Sequence, residues 1–255
     1  PWRFNAPSSC PGSCSGPGSI PLSRVTEVLL ATKRTTLFRS IKSKKRLEGP
    51  RLRQSPATLS TTSRMIIYLH GFASGPRKNS PKLSLLRALG AEVHCLDARG
   101  CYRPEGYLRA ADELLRVSQP PSLLVGSSLG GFWARQLGSL LRCPWIGLNP
   151  ALRPSQILAR YPGPLQRFDI EAMFDWGAED ALAYRPLEQE TIDASVQGLI
   201  VVAEDDDVVD HRQTLALAAG AEVLVLPRGG HDLANTADYA DAVRRFVKRI
   251  ETANT

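Results

Sequence analysis

Short apolar runs alternate with amphipathic segments from Met65 to the end of the chain. The apolar runs are four or five residues long, which is typical of strands buried on both faces of a parallel sheet. The predicted strands are Met65–Leu69, Glu92–Leu96, Ser122–Val125, Trp145–Leu148, Leu199–Ala203 and Glu222–Leu226. The predicted helices are one from Ser80 to Gly90, Glu105–Val117, Leu129–Leu141, Asp210–Ala219 and a last one marked by Tyr239, Val243, Phe246, Val247 and Ile250. This alternation predicts an α/β fold, a mostly parallel sheet with helices on both faces.

Residues 1–64 show neither the strand period nor the helix period. The first part is rich in Ser, Pro and Gly, and the whole segment holds 12 Lys and Arg against two Glu, a net charge of +10. We therefore predict a disordered basic leader or an artefactual N-terminal extension, followed by one domain over residues 65–255. An organellar transit peptide fits the acid-poor leader. The start at Pro1 instead of Met fits an over-extended reading frame equally well.

Charge and composition restrict the classes of partner. The net charge is +7, but residues 65–255 hold 20 Lys and Arg against 23 Asp and Glu, so the predicted domain carries −3 and no nucleic-acid partner is expected. No apolar run approaches the ~18 residues of a membrane span. The five cysteines are irregularly spaced and too few for a disulfide scaffold, which favours a reducing, cytoplasmic location, or an organelle if the leader is genuine.

A G-x-S-x-G sequence, Gly126–Gly130, lies between a predicted strand and a predicted helix. A sharp strand-to-helix turn exposes its central residue, and glycines on either side allow the neighbouring backbone to pass close. We therefore expect Ser128 to be a nucleophile on an elbow formed with Gly126 and Gly130.

A serine nucleophile needs a base and an acid that orients the base. His231 follows the strand Glu222–Leu226 on a glycine-rich loop, so it is the expected base. The acid is expected among Glu204–Asp207, directly after the strand Leu199–Ala203. Asp210 is explained separately, as the cap of a helix in a capping box with Gln213. The acidic run has no glycine at a sharp turn and no alternating ligands, so no metal site is predicted there.

Backbone N–H groups after the first strand and after the nucleophile form an oxyanion hole in such enzymes. The donors would be Phe72 and Leu129. His70, which precedes this loop, is expected to shape the loop or to be a satisfied buried histidine, and not to transfer protons.

Five segments together resemble the YqiA-type α/β-hydrolases: Met65–Arg77, Gly126–Gly131, Asn149–Ala151, Asp207–Gln213 and Gly229–His231. The resemblance runs from Met65 to about Phe246. It implies an α/β-hydrolase fold and serine-dependent hydrolysis of carboxylic esters or thioesters, with Ser128 as nucleophile, Asp206 as acid and His231 as base. The small residue Ala203, three positions before Asp206, fits the spacing of this loop in α/β-hydrolases. The chain departs from the family in having Ala203-Glu204-Asp205 where glycine is usual.

A small insertion, about residues 150–197, is expected to cover the site of a small-molecule ester or thioester. Six of its residues either wall an apolar acyl pocket or form a minor packing cluster: Tyr161, Phe168, Met173, Phe174, Trp176 and Tyr184. No cofactor is expected. Cleavage of peptide or C–C bonds, and a binding protein without turnover, remain alternatives, because fold does not fix chemistry. The sequence leaves the oligomeric state open.

Overall fold

The computed structural model describes residues 64–253, except residues 78, 99 and 189–193. The segment expected to be a leader or extension lies outside the described residues apart from Arg64. The strands of the described part are β1 Met65–Leu69, β2 Glu92–Leu96, β3 Leu123–Ser127, β4 Trp145–Leu148, β5 Gly163–Gln166, β6 Met173–Trp176, β7 Gly198–Ala203 and β8 Ala221–Leu226. Six of them form one sheet in the order β2-β1-β3-β4-β7-β8, and every pair in it is parallel. The predicted parallel sheet is confirmed.

The burial of the strands follows their place in the sheet. Every residue of β1, β4 and β7 is buried, because these strands have a neighbour on each side and helices on each face. The outer strands β2 and β8 are only half-buried. Their sequences contain charged residues such as Glu92 and Glu222, which an edge position tolerates.

The helices of the described part are α1 Pro81–Arg87, α2 Pro104–Val117, α3 Leu129–Leu141, α4 Pro154–Leu158, α5 Ala178–Leu182, α6 Arg185–Glu188, α7 His211–Ala216 and α8 Ala237–Thr252. The longer helices pack on the sheet through two hydrophobic cores. Helices α1 and α8 cover one face of the sheet through side chains such as Leu83 and Phe246. Helices α2 and α3 cover the opposite face through Tyr107 and Trp133. No helix among the described residues is long and apolar enough to cross a bilayer.

Helix α7 departs from the sequence prediction in two ways, namely in the residue at which it ends and in the capping of its first turn. Helix α7 ends at Ala216 and not at Ala219. Asp210 caps it as expected, since its Oδ1 accepts from the backbone N–H of Arg212 at 2.9 Å. The expected second half of the capping box is wrong, because the Gln213 side-chain amide donates to Gln156 on α4 at 3.2 Å. A partner from a distant segment has replaced the local one.

The segment between Pro150 and Gln197, which showed no clear period, contains helices α4, α5 and α6 and an antiparallel hairpin of β5 and β6. The hairpin is fixed to the loop after β1. The backbone N–H of Phe168 donates to the carbonyl of Ala73 at 2.7 Å, and Arg77 donates to the carbonyl of Phe168 at 2.7 Å. The insertion therefore packs against the loop that precedes α1.

The parallel register brings the ends of several strands to one edge. Leu69 at the end of β1 pairs with Gly126 near the end of β3, and Ala203 pairs with Leu226 at the ends of β7 and β8. The loops that carry the candidate residues therefore leave the same edge of the sheet, where ligands bind in open α/β folds.

Candidate active site

Ser128 lies at the turn between β3 and α3 in a backbone conformation that L-residues rarely adopt, φ 54° and ψ −121°. The two flanking glycines are required by close backbone approach. A Cβ on Gly126 would lie 2.0 Å from the carbonyl oxygen of Gly130, and a Cβ on Gly130 would lie 2.1 Å from that of Leu69. The strained turn is secured by a hydrogen bond from the Ser128 N–H to the carbonyl of Leu148 at 2.9 Å. The sequence of this turn thus places Ser128 at the edge of the sheet.

The loop after β1 passes directly beside Ser128. A Cβ built on Gly71 would lie 3.4 Å from the Ser128 Cβ and 3.9 Å from its Oγ. Among the described residues, the backbone N–H groups of Phe72 and Leu129 donate no hydrogen bond, and the Ser128 hydroxyl makes none. The N–H groups of Phe72 and Leu129 and the hydroxyl of Ser128 could therefore all bind a substrate.

Tyr68 supports the residue before the candidate nucleophile. Its hydroxyl donates to the Ser127 Oγ at 3.1 Å, and burial raises its pKa to about 12. The phenol therefore stays a neutral donor at physiological pH.

The carboxylate of Asp206 contacts the ring of His231. Its Oδ1 and Oδ2 lie 3.0 and 2.9 Å from Nδ1, and the Asp206 side chain is only 1% exposed. Oδ1 also accepts the backbone N–H groups of Val208 and Val209, at 2.8 and 2.9 Å. Three donors thus fix the carboxylate, and the carboxylate favours the proton on Nδ1, so that Nε2 is the basic nitrogen of the ring.

The loop of His231 has two further supports that the sequence analysis missed. Buried Asn149 donates from Nδ2 to the carbonyls of Gly230 and His231, at 2.8 and 3.1 Å, and its Oδ1 accepts the N–H of Ala203 at 2.9 Å. Asp205 accepts the N–H of Gly230 at 2.8 Å. Asn149 therefore joins the end of β7, which carries the acid, to the histidine loop. Its φ of 43° is left-handed, which asparagine tolerates better than most residues. In the sequence, Asn149 stood out only as part of the segment Asn149–Ala151 of the family resemblance, with no role assigned to it.

The other members of the acidic run do not meet His231. Glu204, Asp207 and Asp210 are exposed, and Asp210 caps α7. Within the described residues, no group of three or more His, Cys, Asp or Glu is arranged to hold a metal ion.

His70 is buried, with only 8% of its surface exposed, and burial lowers its pKa to about 4. Its ring packs edge-on against Tyr68 at 4.9 Å between centroids, and its carbonyl accepts from the hydroxyl of Tyr107 at 3.1 Å. Among the described residues its Nε2 has no hydrogen-bond partner. The ring is therefore neutral at physiological pH, and with an unbonded Nε2 within the described part of the chain it is not the fully satisfied histidine of one expectation.

Ser128 and His231 line a single cavity of about 560 Å³, together with the loop after β1 and part of the insertion. Of the six residues expected either to wall an acyl pocket or to form a packing cluster, two line the cavity and four do not. Tyr161 and Phe168 line this cavity. Phe174 and Trp176 instead pack edge-on against Phe72, at 5.6 and 4.8 Å between centroids. Two further members stay outside the lining: Tyr184, which packs against Trp133, and Met173.

Residues 65–248 match the profile of the uncharacterised protein family UPF0227. A UPF0227 protein of Vibrio atlanticus strain LGP32 is 24% identical over 188 residues, which cover 71% of this chain and 98% of that relative. One of Yersinia enterocolitica is 24% identical over 187 residues, with the same coverage, 71% and 98%.

Several solved structures share the arrangement of elements. Est1E from Butyrivibrio proteoclasticus superposes with a TM-score of 0.57 at 15% identity, over 74% of this chain and 89% of that one. Mouse alpha/beta hydrolase domain-containing protein 10 gives 0.55 at 17% identity, over 81% and 94%. The esterase domain of a Rhodothermus marinus protein gives 0.55 at 16% identity, over 74% and 89%. The α/β-hydrolase fold is confirmed.

Proposed function

The chain belongs to the UPF0227 family, and from the geometry of its candidate site we propose that it is a serine hydrolase of carboxylic esters or thioesters. The observation that carries this proposal is the contact of 2.9 Å between the Asp206 carboxylate and Nδ1 of His231. This pair lies on loops at the same edge as Ser128, and His231 shares a cavity with that serine. The similarity to esterase structures supports the choice of substrate bond.

In the proposed reaction, Nε2 of His231 takes the proton of the Ser128 hydroxyl as Oγ attacks the carbonyl carbon. The charge on the carbonyl oxygen is stabilised by the N–H groups of Phe72 and Leu129, which no other described residue engages. Collapse of the tetrahedral intermediate breaks the bond to the alkoxide or thiolate, which takes the proton from His231. An acyl group then remains on Ser128.

Water completes the cycle. His231 removes a proton from water as the oxygen attacks the acyl-Ser128 carbonyl. The second intermediate then collapses to the carboxylic acid as the departing Ser128 Oγ takes that proton back from His231. Asp206 stays ionised throughout and stabilises the imidazolium. Asn149 and Asp205 act as positioning residues, because they hold the backbone of the histidine loop.

Turnover of 4-nitrophenyl esters of increasing acyl length, and of one acyl thioester, tests this proposal against a binding protein without turnover. The Ser128→Ala variant should lose roughly 10³-fold or more of the rate, as other serine hydrolases do without their nucleophile. Its melting temperature should stay near that of the native chain, because the hydroxyl makes no hydrogen bond among the described residues. Equal turnover by both proteins, or none by the native chain, would overturn the proposal.

A further inference from the structure

The described residues that line the cavity include two cations, Arg77 and Lys82, and a single carboxylate, Asp232. These three side chains give the lining an excess of one positive charge. Residues 65–255 as a whole carry −3. The lining therefore differs in the sign of its charge from the domain as a whole.

Lys82 is half-buried in the first turn of α1, and its ammonium makes no hydrogen bond or ion pair with another described residue. It also borders a small apolar void beside Leu148 and Tyr239, a surrounding that suits its methylene stem. Burial lowers its pKa, and the charge of Asp232 opposes that effect. A half-buried ammonium that forms no ion pair with a described carboxylate favours an anionic ligand.

Arg77 is held in place and still has donors to offer. One Nη2 hydrogen bond to the carbonyl of Phe168, at 2.7 Å, fixes the guanidinium to the insertion. The remaining N–H groups of a guanidinium can meet a carboxylate or a phosphate in parallel. Arg77 lies in the loop that follows Phe72, and Lys82 lies in the first turn of the next helix, α1. Both cations therefore belong to the same wall of the cavity as Phe72, whose N–H group is one proposed oxyanion donor.

Other residues of the lining are apolar: Ile157, Leu158, Tyr161 and Phe168 of the insertion, and Val208 in the loop after β7. The cavity therefore offers both apolar side chains and two cations to one ligand.

We propose that the preferred substrates of this site are anionic esters or thioesters, whose carboxylate or phosphate group binds Lys82 and Arg77 while the apolar acyl part contacts the insertion. This inference rests on the proposed hydrolase function. Neutral esters would fill the same cavity without bringing an anionic group to the two cations.

The direct test compares matched pairs of esters in which one member is anionic and the other is neutral. For the acyl side the pair is 4-nitrophenyl hydrogen adipate and its methyl ester. For the leaving-group side, 4-butyryloxybenzoate and 4-butyryloxyphenyl phosphate are each compared with 4-butyryloxybenzamide. We expect kcat/KM for at least one anionic ester to exceed that of its neutral partner about tenfold or more, the usual worth of a hydrogen bond to a charged group. The pair that shows the preference identifies the group and the side of the substrate that carries it.

Three variants assign the preference to the cavity. Lys82→Gln keeps most of the stem and removes the charge, so the ratio of anionic to neutral kcat/KM should fall about tenfold. Asp232→Asn removes the opposing carboxylate, so the same ratio should rise. Lys248→Gln is the matched control, since Lys248 is exposed on α8 and does not line the cavity; its ratio should equal that of the native chain. If Lys82→Gln does not fold, Arg77→Gln gives the same test at an exposed position.

Binding to the Ser128→Ala protein, measured by calorimetry, separates the inference from the proposed function. Tighter binding of the anionic ester, lost in the double variant with Lys82→Gln, supports the role of the two cations even if the native chain hydrolyses no ester. Equal kcat/KM and equal affinity within every pair, or a preference that survives Lys82→Gln and Arg77→Gln, would overturn the inference. Turnover of neutral esters would then still support a hydrolase.

Discussion

Asn149 is the residue whose replacement most specifically tests how the histidine loop is held. It is 1% exposed, and its side chain makes three hydrogen bonds, all to backbone groups. It does not line the cavity. Its removal should therefore change the position of His231 without removing any contact to substrate.

The expected cost of Asn149→Ala follows from those contacts. Leaving one buried and two partly buried backbone groups without partners costs roughly 2–5 kcal/mol in the free energy of unfolding. Alanine also tolerates the φ of 43° less well than asparagine, which adds about 1 kcal/mol. Asn149→Gly loses the same hydrogen bonds without that backbone strain. The alanine variant should therefore be less stable than the glycine variant by about 1 kcal/mol.

The effect on catalysis should appear in kcat. A displacement of the imidazole by about 1 Å can cost on the order of 100-fold in rate. We therefore expect Asn149→Gly to lower kcat for a neutral 4-nitrophenyl ester by roughly 10- to 100-fold, with KM within about threefold. Asn149→Asp keeps the acceptor for Ala203 but replaces the donor by a negative charge beside two carbonyls, so it should be at least as impaired.

The assay combines urea unfolding with steady-state kinetics on folded protein. Asn235→Ala is the matched control, because Asn235 is exposed and its amide contacts only the neighbouring Asp238. It should leave both kcat and stability nearly unchanged. A folded Asn149→Gly protein with the native kcat would refute the positioning role, and an equal loss in the control would show that the assay reports general destabilisation.

Three further predictions follow from single residues. Asp206→Asn should lower kcat by up to ~10⁴-fold, because histidine can then adopt the wrong tautomer, whereas exposed Asp207→Asn should stay within about twofold; reversed results would mean that another carboxylate orients the histidine. Gly130→Ala would place a Cβ 2.1 Å from the carbonyl oxygen of Leu69, so its melting temperature should fall by several degrees or more, by scanning calorimetry, and an unchanged value would contradict the close approach. Burial lowers the pKa of His70 to about 4 in the folded chain, against the ordinary histidine value of 6.5 in the unfolded chain. The unfolded chain therefore binds the extra proton, and stability should fall by about 3 kcal/mol as the pH drops from above 6.5 to below 4. His70→Gln should lose that part of the pH dependence in urea titrations, and a profile unchanged from the native chain would disprove it.

The sequence predicted the strands well because each central strand is a continuous apolar run between clear breakers. The central strands Met65–Leu69 and Trp145–Leu148 have the predicted bounds, and so does the outer strand Glu92–Leu96, although it is not a continuous apolar run. Parallel order then fixes which loops share an edge, so the placement of Ser128 and His231 on one edge needed no knowledge of side-chain contacts.

The pattern of apolar and polar positions does not predict contacts between segments that are distant in the sequence. The role of Asn149 depends on β4 lying beside β7 and on the loop after β8 folding back over both, none of which is encoded near position 149. The same limit applies to Gln213, where Gln156 displaced a local cap. In the insertion, Phe168 lies in the connection between two strands of only four residues, and Trp176 ends the second of them. Such short strands show no reliable period, so the sequence did not separate the cavity residue from the packed residue.

Labelling with a fluorophosphonate, followed by mass spectrometry of the peptides, tests the proposed nucleophile most directly. Phosphonylation requires a serine activated by a base, so we predict one label per chain, on Ser128, with rapid kinetics. The Ser128→Ala protein should take up no label, and Asp206→Asn should react far more slowly. A folded native chain that remains unlabelled, or one that is labelled at another residue while Ser128 stays free, would contradict the proposed mechanism.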